Sequence, residues 1–238
     1  MLDWLNGELA RYYTSISILK QGERSNVRVM RHNTLHRDLI VRDFTGSGEI
    51  YQALQMISHP NIPAVYEVAQ EGSRVIVLEE FIDGATIAEG LQAQCYPEAE
   101  AVKIGTELCD VLAALHSIGI VHRDIKPENV MIDREGVVKL IDYNAARFYK
   151  SYQVNDTFII GTTGFAAPEQ FGIAQSDNRT DIFSLGILLN VMLTGEHPSR
   201  CLYQGKRLAR IIQKCTQIAP DKRYPNVQKL KKELGRWR

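Results

Sequence analysis

The sequence predicts an α+β fold, because runs of strand character and a long helical period occur in the same chain. Strand-like runs extend from Asp38 to Phe44 (DLIVRDF) and from Val75 to Leu78, and two more, Val130 to Ile132 and Val137 to Ile141, are turned by Asp133-Arg134-Glu135-Gly136. From Pro97 to Ser117 (PEAEAVKIGTELCDVLAALHS) the apolar positions instead recur at helical spacing. With 238 residues the chain can bury a sizeable core, and it is long for one ordinary domain.

The stretch that organises the rest is Ile120 to Tyr143, IVHRDIKPENVMIDREGVVKLIDY. One polar turn holds a carboxylate (Asp124), an ammonium two residues on (Lys126) and a carboxamide five on (Asn129); the hairpin after it delivers a second carboxylate, Asp142. Phosphoryl transfer from a metal nucleotide needs such a set. One carboxylate orients or deprotonates the acceptor hydroxyl, a cation offsets charge on the moving group, and an amide and another carboxylate hold magnesium on the triphosphate. The competing reading is a charged surface loop between strands. Against it, every fixed position of HRD-x-K-P-x-N is met, and on these residues the chain resembles the eukaryotic-type protein kinases.

Composition is compatible with that resemblance. Lys+Arg and Asp+Glu both number 28, so no broad basic field argues for nucleic acid. The cysteines Cys95, Cys109, Cys201 and Cys215 show no C-x-x-C pairing and the six histidines no ligand-spaced cluster, as expected of a reduced, cytoplasmic protein. No apolar run approaches a bilayer span, and the start, MLDWLNGELARYY, lacks the order of a signal peptide, so no membrane anchor is expected.

The resemblance runs from about Tyr13 to Leu234 and implies a two-lobed α+β fold: residues 1–82 as a small lobe of antiparallel sheet with one helix, residues 83–238 as a larger helical lobe. Ahead of it, Leu2, Leu5 and Leu9 sit at helical spacing and predict a short helix on the first lobe. KQGERSNVRV is similar to the family's Gly-rich loop with two glycines replaced: Lys20 and Ser25 stand at the first and third positions and Gly22 at the second. Leu19 before it and Val27 after it are the implied adenine contacts. Arg42 falls where the family's third strand carries its ATP lysine. A guanidinium keeps the charge but is planar and larger. Three outcomes stay open: Arg42 substitutes directly, Lys20 or Arg28 reaches the phosphates from a neighbouring strand, or nucleotide handling is poor.

Glu49 is the acidic residue available to the helix that follows, one position before the family's usual glutamate, and an Arg42–Glu49 pair is one alternative. The other is Glu79, which takes the normally apolar position before the hinge Glu80-Phe81-Ile82-Asp83-Gly84; a buried carboxylate there needs a partner. Glu80 and Ile82 are the implied main-chain contacts of adenine.

For the second lobe the resemblance implies Asp124 as base or orienting group, Lys126 as phosphate partner, Asn129 and Asp142 as magnesium ligands, and His122 as a packing residue. Tyr143 and Asn144 stand in place of the Phe and Gly of D-F-G, a mild change because Asn tolerates left-handed backbone. Arg123 is placed to receive phosphate on Thr157; Thr162 is placed to touch the catalytic loop, and Thr163 is a further modification candidate. Glu169 with Arg223, and Asp181 toward the catalytic-loop backbone, are structural. The implied activity is transfer of the ATP γ-phosphate, with Mg2+, to Ser or Thr hydroxyls of protein substrates, the chain's own included, in a bacterial type of signalling kinase. Lys126 argues against a small-molecule acceptor, and a pseudokinase that binds or scaffolds is the alternative.

Overall fold

The computed structural model describes residues 2–23, 25–149, 164–171 and 176–237. Thr157, Thr162 and Thr163 lie outside the described residues. The chain divides into two compact units, Met1–Asp83 and Gly84–Arg238.

The first unit opens with helix α1, Leu2–Tyr12, and continues through strands β1 (Tyr13–Gln21), β2 (Ser25–His32) and β3 (Asp38–Thr45), helix α2 (Glu49–Gln55), and strands β4 (Val65–Glu71) and β5 (Arg74–Glu80). The strands form one sheet in the order β1-β2-β3-β5-β4, every neighbouring pair antiparallel. Because side chains alternate across a strand, the register assigns each residue to a face. Met30, Leu39, Val41, Ala69, Ile76 and Leu78 lie on one face, where Leu2, Leu5 and Leu9 of α1 cover them. Each buried leucine there contributes about 1.5–3 kcal/mol against exposure, an upper bound. On the opposite face Val27, Val29 and Ile40 cluster with Phe81. Helix α2 is seven residues long, packs on β4, and sets Tyr51 against Phe44 with ring centroids 5.7 Å apart.

The second unit begins with β6 (Gly84–Thr86), α3 (Ile87–Ala93) and α4 (Glu98–Ser117). Short strands follow: β7 (Ile120–Val121), β8 (Val130–Asp133), β9 (Val138–Leu140) and β10 (Arg147–Phe148). Helices α5 (Asn178–Thr194), α6 (Lys206–Cys215) and α7 (Val227–Leu234) complete the unit. β6, β8 and β9 form one sheet, and β7 pairs with β10. The core is helical: α5 is buried nearly all round and packs on α4 and α6, and α4 packs on α7. α5 starts at a capping box in which Asp177 and Thr180 satisfy each other's backbone amides, which fixes the first turn that carries Asp181. It ends at Gly195, whose φ of 73° is the left-handed cap that favours glycine.

Candidate active site

The polar turn after β7 is gathered around Asp124. Lys126 Nζ lies 2.8 Å from the Asp124 carboxylate, and Asn129 Nδ2 donates both to that carboxylate and to the Asp124 carbonyl, each at 2.8 Å. Spacing explains the convergence. Pro127–Asn129 is a single 3-10 turn, which folds the carboxamide back over the residue five positions earlier. Since Nδ2 is committed to Asp124, the Asn129 amide oxygen is the atom suited to a hard cation. Ile141 N–H bonds the Asn129 carbonyl at 2.9 Å, tying the turn to the strand that leads to Asp142.

Two residues here carry backbone strain. Arg123 has φ 69° and Asp142 φ 61°, the left-handed region that side-chain-bearing residues seldom occupy. Such conformations persist where the surroundings over-determine them. Around Arg123 those surroundings are visible: Asp181 of α5 accepts the Arg123 amide at 2.8 Å and the His122 amide at 3.0 Å, and Gln170 Nε2 donates to the Arg123 carbonyl at 2.8 Å. Asp142 accepts the Asn144 amide on its own carboxylate, at 3.4 Å. The left-handed residue of Asp142-Tyr143-Asn144 is therefore Asp142, and Asn144 needs no special backbone. Tyr143 is buried, its hydroxyl bonded to the Leu140 carbonyl at 3.1 Å and its ring edge-on to His122 at 5.0 Å.

Electrostatics follow from burial. His122 is fully buried; desolvation pushes its imidazole below the ordinary value and outweighs the pull of Asp181, Asp124 and Asp142. Burial alone raises the Asp181 carboxyl, but the His116 hydrogen bond and charge, His122 and the Arg123 amide together outweigh it and leave Asp181 below the ordinary value. His116 Nε2 reaches Asp181 Oδ2 at 2.8 Å. Arg147 of β10 is brought down to about 10, first by burial and then by the like charge of Arg123. Two guanidiniums thus share one neighbourhood.

Glu169 and Arg223 form a buried bidentate pair at 2.7 and 2.9 Å. Arg223 also donates to the carbonyls of Gln217, Arg179 and Ile218, so all five of its N–H groups are used, and its guanidinium stacks over Phe183 at 4.8 Å. Thr180 Oγ1 donates to Glu169 at 2.9 Å, linking the pair to the capped end of α5.

In the first unit Val27 of β2 stands directly opposite Arg42 of β3, which stands opposite Val77 of β5, and Lys20 of β1 stands opposite Val27. These four share one sheet face. Arg28 pairs with Val41 and so lies on the α1 face, which removes it as a stand-in for Arg42. Arg42 and Glu79 are both buried, at 8% and 5% exposure, and Arg42 Nε donates to the Glu79 carboxylate. Glu49 is exposed at the first position of α2, its amide bonded to Ser47 Oγ at 3.3 Å, and takes no part in the Arg42 contact. Of the two alternatives for Arg42, the structure contains the pair with Glu79. Leu19 sits at a bulge between Ile18 and Lys20 and is exposed, and the Gly22 amide bonds the Asn26 side chain at 3.3 Å. Glu80 closes β5, its carboxylate and its own amide both bonded to Ala64, and Ile82 is buried in the segment after it.

Sequence reasoning missed His116, Arg147, Gln170 and Thr180. Gln170 directly follows Ala167-Pro168-Glu169, and Thr180 directly precedes Asp181, so adjacency to a recognised motif was the available signal. His116 and Arg147 meet their partners only through tertiary packing.

A sheet-based unit, a helical unit and a polar turn of this composition define the two-lobed kinase architecture. Residues 25–236 match the family model described as protein kinase domain, and the chain belongs to that family. It is 34% identical over 208 residues to the serine/threonine-protein kinase PknB of Mycobacterium leprae, covering 80% of this chain and 33% of the relative. To the serine/threonine-protein kinase PrkC of Bacillus subtilis it is 29% identical over 195 residues, 81% of this chain and 29% of the relative. To mouse sperm motility kinase Z it is 30% identical over 237 residues, 96% and 46%. The chain spans about a quarter to a third of the length of the first three curated relatives it matches, 25% to 33%.

Proposed function

We propose that the chain is a catalytic domain that transfers the γ-phosphoryl group of ATP to serine or threonine hydroxyls of protein, with Mg2+. The observation that carries this reading is the triad of 2.8 Å contacts that joins Asp124, Lys126 and Asn129. Asp124 orients the acceptor hydroxyl and takes its proton. Lys126, fixed beside it, is the cation that meets charge on the transferred group, and its presence suits a protein acceptor. The Asn129 amide oxygen and the Asp142 carboxylate are hard oxygen donors of the kind magnesium takes when it is also held by phosphates. Bound there, Mg-ATP supplies the phosphoryl group and the charge neutralisation. Fewer protein ligands suffice for a metal that travels with the nucleotide, in keeping with the absence of any cluster of three His, Cys, Asp or Glu ligands among the described residues.

In the first unit Val27, Leu19, Gly22, Arg42 and the Glu80–Ile82 segment are assigned to the nucleotide. Arg123 is assigned to a phosphate on Thr157, with Arg147 beside it adding charge, and autophosphorylation is one route to that phosphate. Glu169, Arg223 and Asp181 hold the catalytic turn. No helix among the described residues is long and apolar enough to cross a membrane, and all four cysteines are free, which suits a reducing, cytoplasmic setting and a signalling role. A pseudokinase is the second reading, favoured by one observation: Arg42 is engaged by Glu79.

The test is transfer of radiolabel from ATP with Mg2+ onto the protein itself and onto a generic basic protein, followed by phosphoamino-acid analysis. Label on Ser or Thr with wild type, reduced about 10²–10⁴-fold in Asp124→Asn, is the expected result. Equal silence of both proteins, with Mg-ATP still bound, would leave the pseudokinase.

A further inference from the structure

We infer that Glu79 is the residue that positions Arg42 for the nucleotide, so that this cation is set by the register of the sheet and not by where helix α2 lies. The inference rests on the kinase reading above and adds to it a positioning residue and a consequence for regulation.

Arg42 and Glu79 lie on adjacent antiparallel strands. Ile40 stands opposite Glu79 and Arg42 opposite Val77, so the two charged side chains are diagonal neighbours on one face. A slip of one residue would turn both to the α1 face, into the cluster of Leu39, Val41, Ile76 and Leu78. The register that builds the apolar core therefore also builds the ion pair. Burial makes each charge dependent on the other, because neither carboxylate nor guanidinium is stable in an apolar setting without an opposite charge. The contact is made through Nε, which fixes the plane of the guanidinium as well as its position. That plane sits in the row Lys20, Val27, Arg42, Val77, of which Val27 and Arg42 are assigned to the nucleotide.

Glu49, the other acidic candidate, is carried by a seven-residue helix whose N-cap, Gly48, offers no side-chain cap. A carboxylate on such a helix moves with it. Glu79, hydrogen-bonded into a central region of the sheet, does not. The pair also accounts jointly for two departures from the family pattern: an arginine where a lysine is usual and a carboxylate where an apolar residue is usual. Each compensates the other.

The experiment compares wild type, Glu79→Gln, Glu79→Asp and Glu49→Gln by Mg-ATP titration, by KM for ATP against kcat, and by the Arg42 Nε–H resonance in ¹⁵N-labelled protein. Expected are a Mg-ATP affinity at least tenfold weaker and a KM raised to match in Glu79→Gln, most of it recovered in Glu79→Asp, and Glu49→Gln within twofold of wild type. The Arg42 resonance shifts in Glu79→Gln and stays in Glu49→Gln. A Glu79→Gln protein within twofold of wild type, or a tenfold loss in Glu49→Gln, overturns the inference. If Glu79→Gln does not fold, the Arg42 Nε–H resonance decides: it shifts in Glu79→Asp and stays in Glu49→Gln, and an unmoved resonance in Glu79→Asp or a shifted one in Glu49→Gln overturns the inference. A wild type that binds Mg-ATP without transferring phosphate refutes the kinase reading, and the titration still decides the positioning. One that binds no nucleotide overturns both.

Discussion

The two buried arginine–glutamate pairs, Arg223 with Glu169 and Arg42 with Glu79, are alike in burial and different in construction. Arg223 is fully enclosed, satisfies every N–H with a carboxylate or a carbonyl, and joins residues 54 positions apart, tying the turn at Pro168–Phe171 and the start of α5 to the connection between α6 and α7. It acts as a staple. Arg42 reaches Glu79 along a sheet face, beside Val27, which is likewise assigned to the nucleotide, and the pair exists because two neighbouring strands are in register. The second unit matches the family's polar pattern at Asp124, Lys126, Asn129, Asp142, Glu169, Asp181 and Arg223, whereas the first departs from the family pattern at Lys20, Arg42 and Glu79. Residues that must touch the reacting atoms leave little room for exchange. On the proposed roles, the cation that has only to meet phosphates is the one built from another side chain, with its counter-charge beside it on the sheet.

That contrast can be broken most forcefully at the staple. Arg223→Ala leaves Glu169 buried without its cation and should cost about 3–5 kcal/mol in chemical denaturation; a loss below about 1 kcal/mol would show that the pair is replaceable. Arg223→Lys should still cost about 1.5–3 kcal/mol, because an ammonium cannot reproduce the bidentate and carbonyl bonds. Arg42→Lys should cost less than Arg223→Lys, since a point charge can still meet Glu79, and comparable losses would show that the two pairs are built alike.

Acid sharpens the comparison on the second unit alone. His122 has a folded pKa below its ordinary 6.5, so folding excludes a proton that the unfolded chain takes up. Its contribution is complete above pH 6.5 and is lost as the pH falls from there toward the folded value. Asp181, also depressed, adds a second loss below 3.8. Melting temperatures of wild type should fall between pH 7.5 and 5.5, and His122→Gln should flatten that fall; an unchanged slope would place the titration elsewhere. The smallest effect belongs to Tyr143→Phe, which removes only the bond to the Leu140 carbonyl and should cost about 0.5–1.5 kcal/mol with little change in phosphate transfer.

The catalytic turn was legible in the sequence because its parts lie within six residues and a single 3-10 turn closes them. The long helix at Pro97 to Ser117 was legible from its period and appears as Glu98–Ser117. Faces of the first sheet were not. Whether Arg28 or Lys20 shares a face with Arg42 depends on strand register and on the bulges in β1, which no local pattern encodes. Nor was the partner of Arg42, because Glu49 is near in sequence and Glu79 near only through the sheet. The left-handed backbone lies at Asp142 and not at Asn144, where residue type alone pointed.

One titration tests most directly whether the rebuilt cation serves the nucleotide: Mg-ATP binding to wild type, Asp124→Asn and Arg42→Ala at matched stability. Wild type and Asp124→Asn should bind alike, since Asp124 is assigned to the acceptor, and Arg42→Ala should bind at least about tenfold more weakly, a loss of about 1.4 kcal/mol or more. If Arg42→Ala, folded, binds Mg-ATP as tightly as wild type, Arg42 does not meet the nucleotide and its pair with Glu79 is structural alone.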